Sequence, residues 1–160
     1  SWLLKMRTNA TPITGKDDIS NLKEPYQALI QFYKAFNNRE LTLMNENWDC
    51  SKETTMDNPL GGIKKGWNEI REVYEKIFNG PAQVYVEFYD YSIHRGKDIF
   101  YAVGRERGRF TRGNKTVNLA IRTSRIFKLV NGRWKQVHHH GSIDNPDLLK
   151  EYQEAVLKKD

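Results

Sequence analysis

Apolar residues in the first half of the chain recur at steps of three and four, the spacing of an amphipathic helix. This pattern predicts helices over about 21–37, 39–48 and 66–79. Pro25 suits a first helical turn, and Gly80-Pro81 ends the third helix. The apolar faces are formed by Leu22, Tyr26, Leu29, Tyr33 and Phe36, then Leu41, Met44 and Trp48, then Trp67, Ile70, Tyr74, Ile77 and Phe78.

After Pro81 the apolar period changes from 3.6 to 2, which is typical of β-strands. Four long strands are predicted, over 84–94, 98–111, 116–130 and 133–141. Turn signals separate them, and Asn131-Gly132 is the strongest of these. Since the connections are short, neighbouring strands should be antiparallel. A short extended segment over 54–57 and a final helix over 146–158 complete the prediction.

Together these elements predict a single α+β domain, in which a curved antiparallel sheet wraps the helices around an internal pocket. Residues 1–20 lack a sustained period and are interpreted as an N-terminal arm. The pocket domain is assigned to 21–144. Residues 145–160 form a C-terminal helix that should pack on this domain.

Composition narrows the function classes. The chain of 160 residues is 38% apolar and 12% aromatic, and it has no apolar run long enough to span a membrane. We therefore expect a soluble protein, either cytoplasmic or exported after removal of an N-terminal signal. The net charge of +6 is dispersed along the sequence, which favours a solvated surface over nucleic-acid binding and leaves an anionic ligand as an option.

Arg125 is the single residue whose position in the pattern is most informative about a site. It occupies the middle of an otherwise apolar row on the third strand, the row that should face the helices. A buried guanidinium is costly unless it is paired. Its partner is therefore either an internal carboxylate, such as Asp57 or Glu106, or an anionic ligand.

Three consecutive histidines occur in the last strand, His138 to His140. Because neighbours on a strand point to opposite faces, at most His138 and His140 could share an ion, and two ligands are too few for a zinc site. We expect no metal and no cofactor. On the second strand both faces are partly apolar, so Arg105 either joins Arg125 in the pocket or lies in solvent.

The order of elements resembles the NTF2-like superfamily, which includes SnoaL-like proteins and ketosteroid isomerase. The resemblance is carried by 31–36, 56–61, and 122–127 with 131–142. It implies a cone-shaped sheet wrapped around the N-terminal helices, a cystatin-like fold. Tyr33 matches the oxyanion-hole tyrosine of the isomerase. Asn58 occupies the place of its catalytic aspartate, and an amide cannot take up a proton at neutral pH, which argues against that isomerase reaction.

The last two strands are similar to the association domain of calcium/calmodulin-dependent kinase II. This second resemblance implies that Arg125 lines the pocket and that His138, His140 and Ser142 face inward. An arginine follows the second histidine in that family, whereas this chain has Gly141.

Three functions are consistent with these observations. The first is an enzyme of the isomerase, dehydratase or cyclase type, acting on a small hydrophobic or carboxylate-bearing molecule with Tyr33, His138 and His140 as catalytic groups. The second is a non-catalytic pocket for a small, optionally anionic ligand. The third is an assembly module that forms a homodimer through the sheet face. The predicted ligand-binding residues are Arg125, Arg105, Trp48, Asn58, Trp67, Tyr74 and Tyr101.

Overall fold

The computed structural model describes residues 11–18, 20 and 24–158. The helices in that part of the chain are α1 (Pro25–Asn37), α2 (Leu41–Asn47), α3 (Trp67–Asn79) and α4 (Pro146–Leu157). The strands are β1 (Thr55–Asp57), β2 (Lys64–Lys65), β3 (Gln83–Arg95), β4 (Ile99–Arg112), β5 (Lys115–Val130) and β6 (Arg133–Ser142). They form one curved, open sheet in the order β2-β1-β6-β5-β4-β3.

The predicted α+β class is confirmed. The four long strands are antiparallel neighbours, as their short connections predicted. The short strand β1 pairs in parallel with β6, which makes the sheet mixed rather than wholly antiparallel. No helix in the described ranges has the length and apolar character needed to cross a bilayer.

Part of the predicted N-terminal arm covers the free edge of β3. Ile13 is fully buried and exchanges two backbone hydrogen bonds with Phe88, each 2.9 Å long. Pairing of this kind protects an edge strand from unwanted contacts. The predicted first helix begins at Pro25, and Leu22 lies outside the described residues, as do positions 1–10.

Helix α4 is fixed at both ends. The side chain of Asn145 caps its N-terminus by accepting hydrogen bonds from the backbone N–H groups of Asp147 and Leu148, at 2.9 and 3.1 Å. Arg112 of β4 donates to carbonyl groups in the last turn and just beyond it, those of Glu154, Ala155 and Lys158. These contacts hold the helix against the end of β4.

The pleat of β4 and β5 decides which side chains enter the interior. The row of β5 that contains Arg125 faces the helices, as predicted. On β4 the inward row is Phe100, Ala102, Glu106 and Phe110. The alternate row, with Tyr101 and Arg105, lies on the outer face of the sheet. Of the two positions that the sequence left open for Arg105, the pocket or the solvent, the structure shows the solvent.

A β-bulge in β6 reverses the alternation of its side chains. Ile126 pairs with His138 and Phe127 pairs with Gln136, so Val137 is an extra residue with no partner on β5. One inserted residue exchanges the two faces of a strand beyond that point. Trp134 and Gln136 therefore face inward before the bulge, and His139 faces inward after it.

Candidate functional site

The interior of the cone contains a small cavity of about 40 Å³ between the sheet and helices α1, α3 and α4. A water molecule in the liquid occupies roughly 30 Å³, whereas ligand pockets usually enclose about 300–1,000 Å³. Aromatic and aliphatic side chains fill the remaining space. The polar residues in the cavity wall are Asn58, Tyr74, Glu106, Arg125, His139 and Tyr152.

Arg125 forms a salt bridge with Glu106 inside the protein. Its Nη2 lies 3.1 Å from Glu106 Oε2, and the two side chains are only 2% and 6% exposed. The same oxygen accepts a hydrogen bond from the Tyr33 hydroxyl at 2.5 Å. The guanidinium also lies 3.6 Å from the ring centroid of Phe32. Of the two partners considered for Arg125, the internal carboxylate is confirmed, and it is Glu106.

A chain of buried amides extends this polar network toward α2. Arg125 Nη1 donates to Gln136 Oε1 at 2.8 Å, and Gln136 Nε2 donates to Asn47 Oδ1 at 3.0 Å. Asn47 in turn donates to Gln31 and to the carbonyl of Ala28. Buried polar networks that are satisfied in this way hold their members in one arrangement.

Burial sets the protonation state of the two tyrosines nearest Arg125. Desolvation, followed by the negative charge of Glu106, raises the pKa of Tyr33 well above its usual value. Burial raises the pKa of Tyr74 to about 12. Both phenols therefore stay protonated at neutral pH. Tyr33 donates to Glu106, whereas the Tyr74 hydroxyl has no hydrogen-bond partner among the described residues.

The histidine that faces the cavity is His139. Its Nε2 lies 2.8 Å from the Thr123 hydroxyl, and its Nδ1 is buried without a hydrogen-bond partner in the described part of the chain. Burial, followed by the positive charge of Arg125, lowers the pKa of His139 well below 6.5. The imidazole is therefore neutral at physiological pH.

The prediction that His138 and His140 face inward is wrong, because the bulge at Val137 turns both of them to the outer face of the sheet. There they flank Asp57. His140 Nδ1 lies 2.6 Å from Asp57 Oδ2, and His138 Nδ1 lies 2.6 Å from the Thr55 hydroxyl. Within the described ranges, no group of three or more His, Cys, Asp or Glu residues has the arrangement of a metal site.

The other predicted ligand-binding residues are divided between the interior and the outer face. Tyr74 and Asn58 line the cavity. Trp48 and Trp67 are buried, with ring centroids 6.1 Å apart, and both belong to the core. Tyr101 and Arg105 are exposed on the outer face, so the option that Arg105 joins Arg125 is excluded.

The outer face also carries an open groove of about 640 Å³, lined in part by Arg105, Ser124 and His140. Its charged groups already have partners. Arg105 lies 3.5 Å from Asp90, and His140 is held by Asp57. We therefore place the candidate site at the interior cavity, where buried polar atoms lack partners.

Three polar residues of the site were not predicted as site residues from the sequence: His139, Glu106 and Tyr152. Glu106 was named only as one partner for Arg125. A signal for it was present in the sequence, because Glu106 lies in the same row of its strand as Phe100 and Phe110, just as Arg125 lies in a row with apolar residues. Tyr152 of α4 was assigned to the helix alone, but it lines the cavity and its ring centroid lies 5.7 Å from that of Phe110.

Comparison with known proteins agrees with this fold. The family model of the SnoaL-like domain matches residues 26–146. An NTF2-like superfamily protein from Salmonella enterica is 20% identical, with a TM-score of 0.67, and 80% of this chain covers 94% of that one. A ketosteroid isomerase-like protein from Erwinia carotovora is 17% identical, with a TM-score of 0.65 and coverage of 79% and 98%.

A candidate calcium/calmodulin-dependent protein kinase type II association domain from Thiobacillus denitrificans is 23% identical, with a TM-score of 0.63 and coverage of 76% and 95%. At these identities the solved structures show the fold alone. No curated protein matches the chain.

Proposed function

Because the chain belongs to the SnoaL-like family, we propose that its interior cavity binds a small, mostly apolar molecule and supports acid–base chemistry on it. One observation carries this proposal. Three buried atoms without hydrogen-bond partners in the described chain, Tyr74 Oη, Arg125 Nε and His139 Nδ1, belong to side chains that line the same cavity. Buried polar atoms are normally satisfied, and a concentration of unsatisfied ones suggests a missing ligand or water.

The roles of the residues follow from their hydrogen bonds. Tyr33 donates a hydrogen bond to Glu106, so its hydroxyl is already used within the network. The Tyr74 hydroxyl lies close to Trp48 and Arg125 but makes no hydrogen bond of normal geometry with the described chain, so it is the better candidate to stabilise a developing negative charge. Asn58 cannot accept a proton, which leaves the carboxylate of Glu106 and the neutral imidazole of His139 as candidate bases.

Ligand entry requires movement at the mouth of the cavity, since 40 Å³ is too small for an organic molecule. We propose that Tyr152 closes the cavity and that α4 shifts when a ligand enters. Arg112 holds the last turn of this helix, so the shift is a movement of the preceding turns, which make few polar contacts with the loop beneath them. Gln153 donates to the carbonyl of Pro59 at 2.9 Å, and the buried face of the helix is Tyr152, Ala155 and Val156.

We expect Tyr152→Ala to respond more strongly to phenol than to toluene in thermal unfolding. Removing the ring enlarges the cavity, and apolar cavities of about 150 Å³ are known to bind benzene. Phenol and toluene have similar shapes, but only phenol can hydrogen-bond to the free polar atoms. Tyr152→Phe keeps the ring and is the matched control, which should respond to neither compound. Equal stabilisation of Tyr152→Ala by both compounds would show an apolar void without a binding function.

The second candidate function, assembly of a homodimer, is supported by the outer face of the sheet. Ile99, Tyr101 and Val103 are each more than 40% exposed there, in adjacent outward positions of β4. Arginines and carboxylates surround them, so a two-fold contact could match opposite charges. We propose that a second copy of the chain covers this patch.

Sedimentation equilibrium at micromolar concentration should therefore detect a dimer. Val103→Lys should shift it to monomer, because a lysine at the centre of an apolar contact cannot be desolvated cheaply. Ile63→Lys is the control, since Ile63 is 65% exposed but lies in the turn that precedes β2. A monomeric wild-type protein would remove the assembly role.

A further inference from the structure

We infer that Glu106 determines the ligand specificity of the cavity by excluding carboxylate-bearing molecules. This inference rests on the proposed function of the cavity and names its ligand class. Glu106 already occupies the position in which a ligand carboxylate would meet Arg125. The ligand is then neutral, with a hydroxyl or amide N–H group that can donate a hydrogen bond.

The surroundings of the guanidinium leave little room for a second anion. Glu106 accepts a hydrogen bond from Nη2, and Gln136 accepts one from Nη1. The ring of Phe32 covers one face of the guanidinium, with its centroid 3.6 Å from Cζ. Of the three nitrogens, Nε is the one without a hydrogen-bond partner in the described structure. Carboxylates bind guanidinium groups best through two parallel N–H bonds. Such a ligand would have to displace Glu106 from the pair.

Charge leads to the same conclusion. Arg125 and Glu106 neutralise each other in a site that is almost fully buried. A ligand anion would leave one uncompensated negative charge in this desolvated site, which is costly. In contrast, a neutral ligand that donates a hydrogen bond can bind to a free carboxylate oxygen of Glu106. Both hydrogen bonds that Glu106 makes with described side chains use Oε2, which leaves Oε1 for a ligand.

Chemical rescue tests the inference. Glu106→Ala removes the four heavy atoms of an acetate group and leaves Arg125 without its counter-ion. We expect acetate to raise the unfolding temperature of Glu106→Ala by several degrees and to leave the wild type unchanged, at ionic strength held constant with chloride. Acetamide has the shape of acetate without its charge and should rescue much less. Glu106→Ala/Arg125→Met keeps the space but lacks the cation, so it should lose the preference for acetate.

Three results would overturn the inference: stabilisation of the wild type by acetate, equal rescue by acetamide, or an unchanged acetate preference in the double variant. A second measurement does not depend on the folding of Glu106→Ala. In Tyr152→Ala, which keeps Glu106, benzamide should stabilise the protein and benzoate should not, and stronger binding of benzoate would contradict the exclusion of carboxylates. Acetate can rescue Glu106→Ala without any movement of α4, because it binds in the space that the Glu106 side chain leaves. If neither phenol nor benzamide stabilises Tyr152→Ala while acetate rescues Glu106→Ala, the proposed ligand function fails and the counter-ion role of Glu106 stands.

Discussion

Replacing Arg125 by Met lowers the free energy of unfolding by about 3–5 kcal/mol, the loss that follows when one partner of a buried ion pair is removed. Met has a similar length, so the space is largely refilled and the effect is mainly electrostatic. Glu106 would lose its counter-ion in a site where it is 6% exposed, with the Tyr33 hydroxyl as its remaining hydrogen-bond donor. Gln136 Oε1 would also lose its donor. Urea unfolding of the variant and of the wild type measures the difference.

Arg122→Met is the matched control for this experiment. Arg122 lies on the same strand, but its side chain is 60% exposed and pairs with Asp144 on the surface. Exposed pairs contribute about 0–1 kcal/mol at most. The double variant Arg125→Met/Glu106→Gln should lose less than Arg125→Met alone, because no unpaired charge remains. If Arg125→Met and Arg122→Met cost the same, the buried pair does not stabilise the fold in the way described.

The role of Arg125 could be predicted because β5 alternates without interruption. Apart from the small polar Thr123, its inward row is apolar around Arg125, so the position of the guanidinium and its need for a partner follow from the sequence alone. The identity of that partner could not be predicted. Asp57 and Glu106 were equally available, but Asp57 lies beside His140 on the outer face, whereas the side chain of Glu106 reaches Arg125 in the interior.

The last strand shows where alternation fails. Residues 137–140 carry no clear apolar row, so nothing in the sequence marks Val137 as the extra residue of a bulge. Counting by twos only groups His138 and His140 with Trp134, and it was the resemblance to the kinase association domain that implied an inward position for them. The structure brings His139 to the cavity instead, opposite Arg125 in the pairing of β5 with β6. The closure of the cavity by Tyr152 depends on the docking of α4, which no local pattern determines.

The structure changes which residues could carry the chemistry, but groups of the predicted types are still present in the interior. The interior still holds a tyrosine, a carboxylate, an imidazole and a guanidinium, but the imidazole is that of His139 and the carboxylate is that of Glu106. Both are buried, and for His139 this burial, together with the charge of Arg125, lowers the pKa of the imidazole. The neutral state of His139 can be tested directly by measuring the stability of the protein at different pH values.

We expect His139 to make the folded protein less stable as the pH falls below 6.5. Its pKa is lowered in the folded state, so below pH 6.5 the unfolded chain binds a proton that the folded protein does not. The free energy of unfolding then decreases by up to about 1.4 kcal/mol per pH unit, until the pH reaches the lowered pKa. Above pH 6.5 both states are neutral at this position, and the contribution disappears.

His139→Gln isolates this contribution, because glutamine can still bond to the Thr123 hydroxyl but does not titrate. Urea unfolding at several values between pH 7.5 and about 5 should give a flatter pH dependence for His139→Gln than for the wild type. His94→Gln serves as the control, since His94 is exposed and its ring stacks on Tyr101 at the surface. Its pH dependence should follow that of the wild type. If the wild type and His139→Gln run parallel below pH 6.5, then His139 takes up its proton as readily in the folded protein as in the unfolded chain, and a neutral base at the cavity wall is excluded.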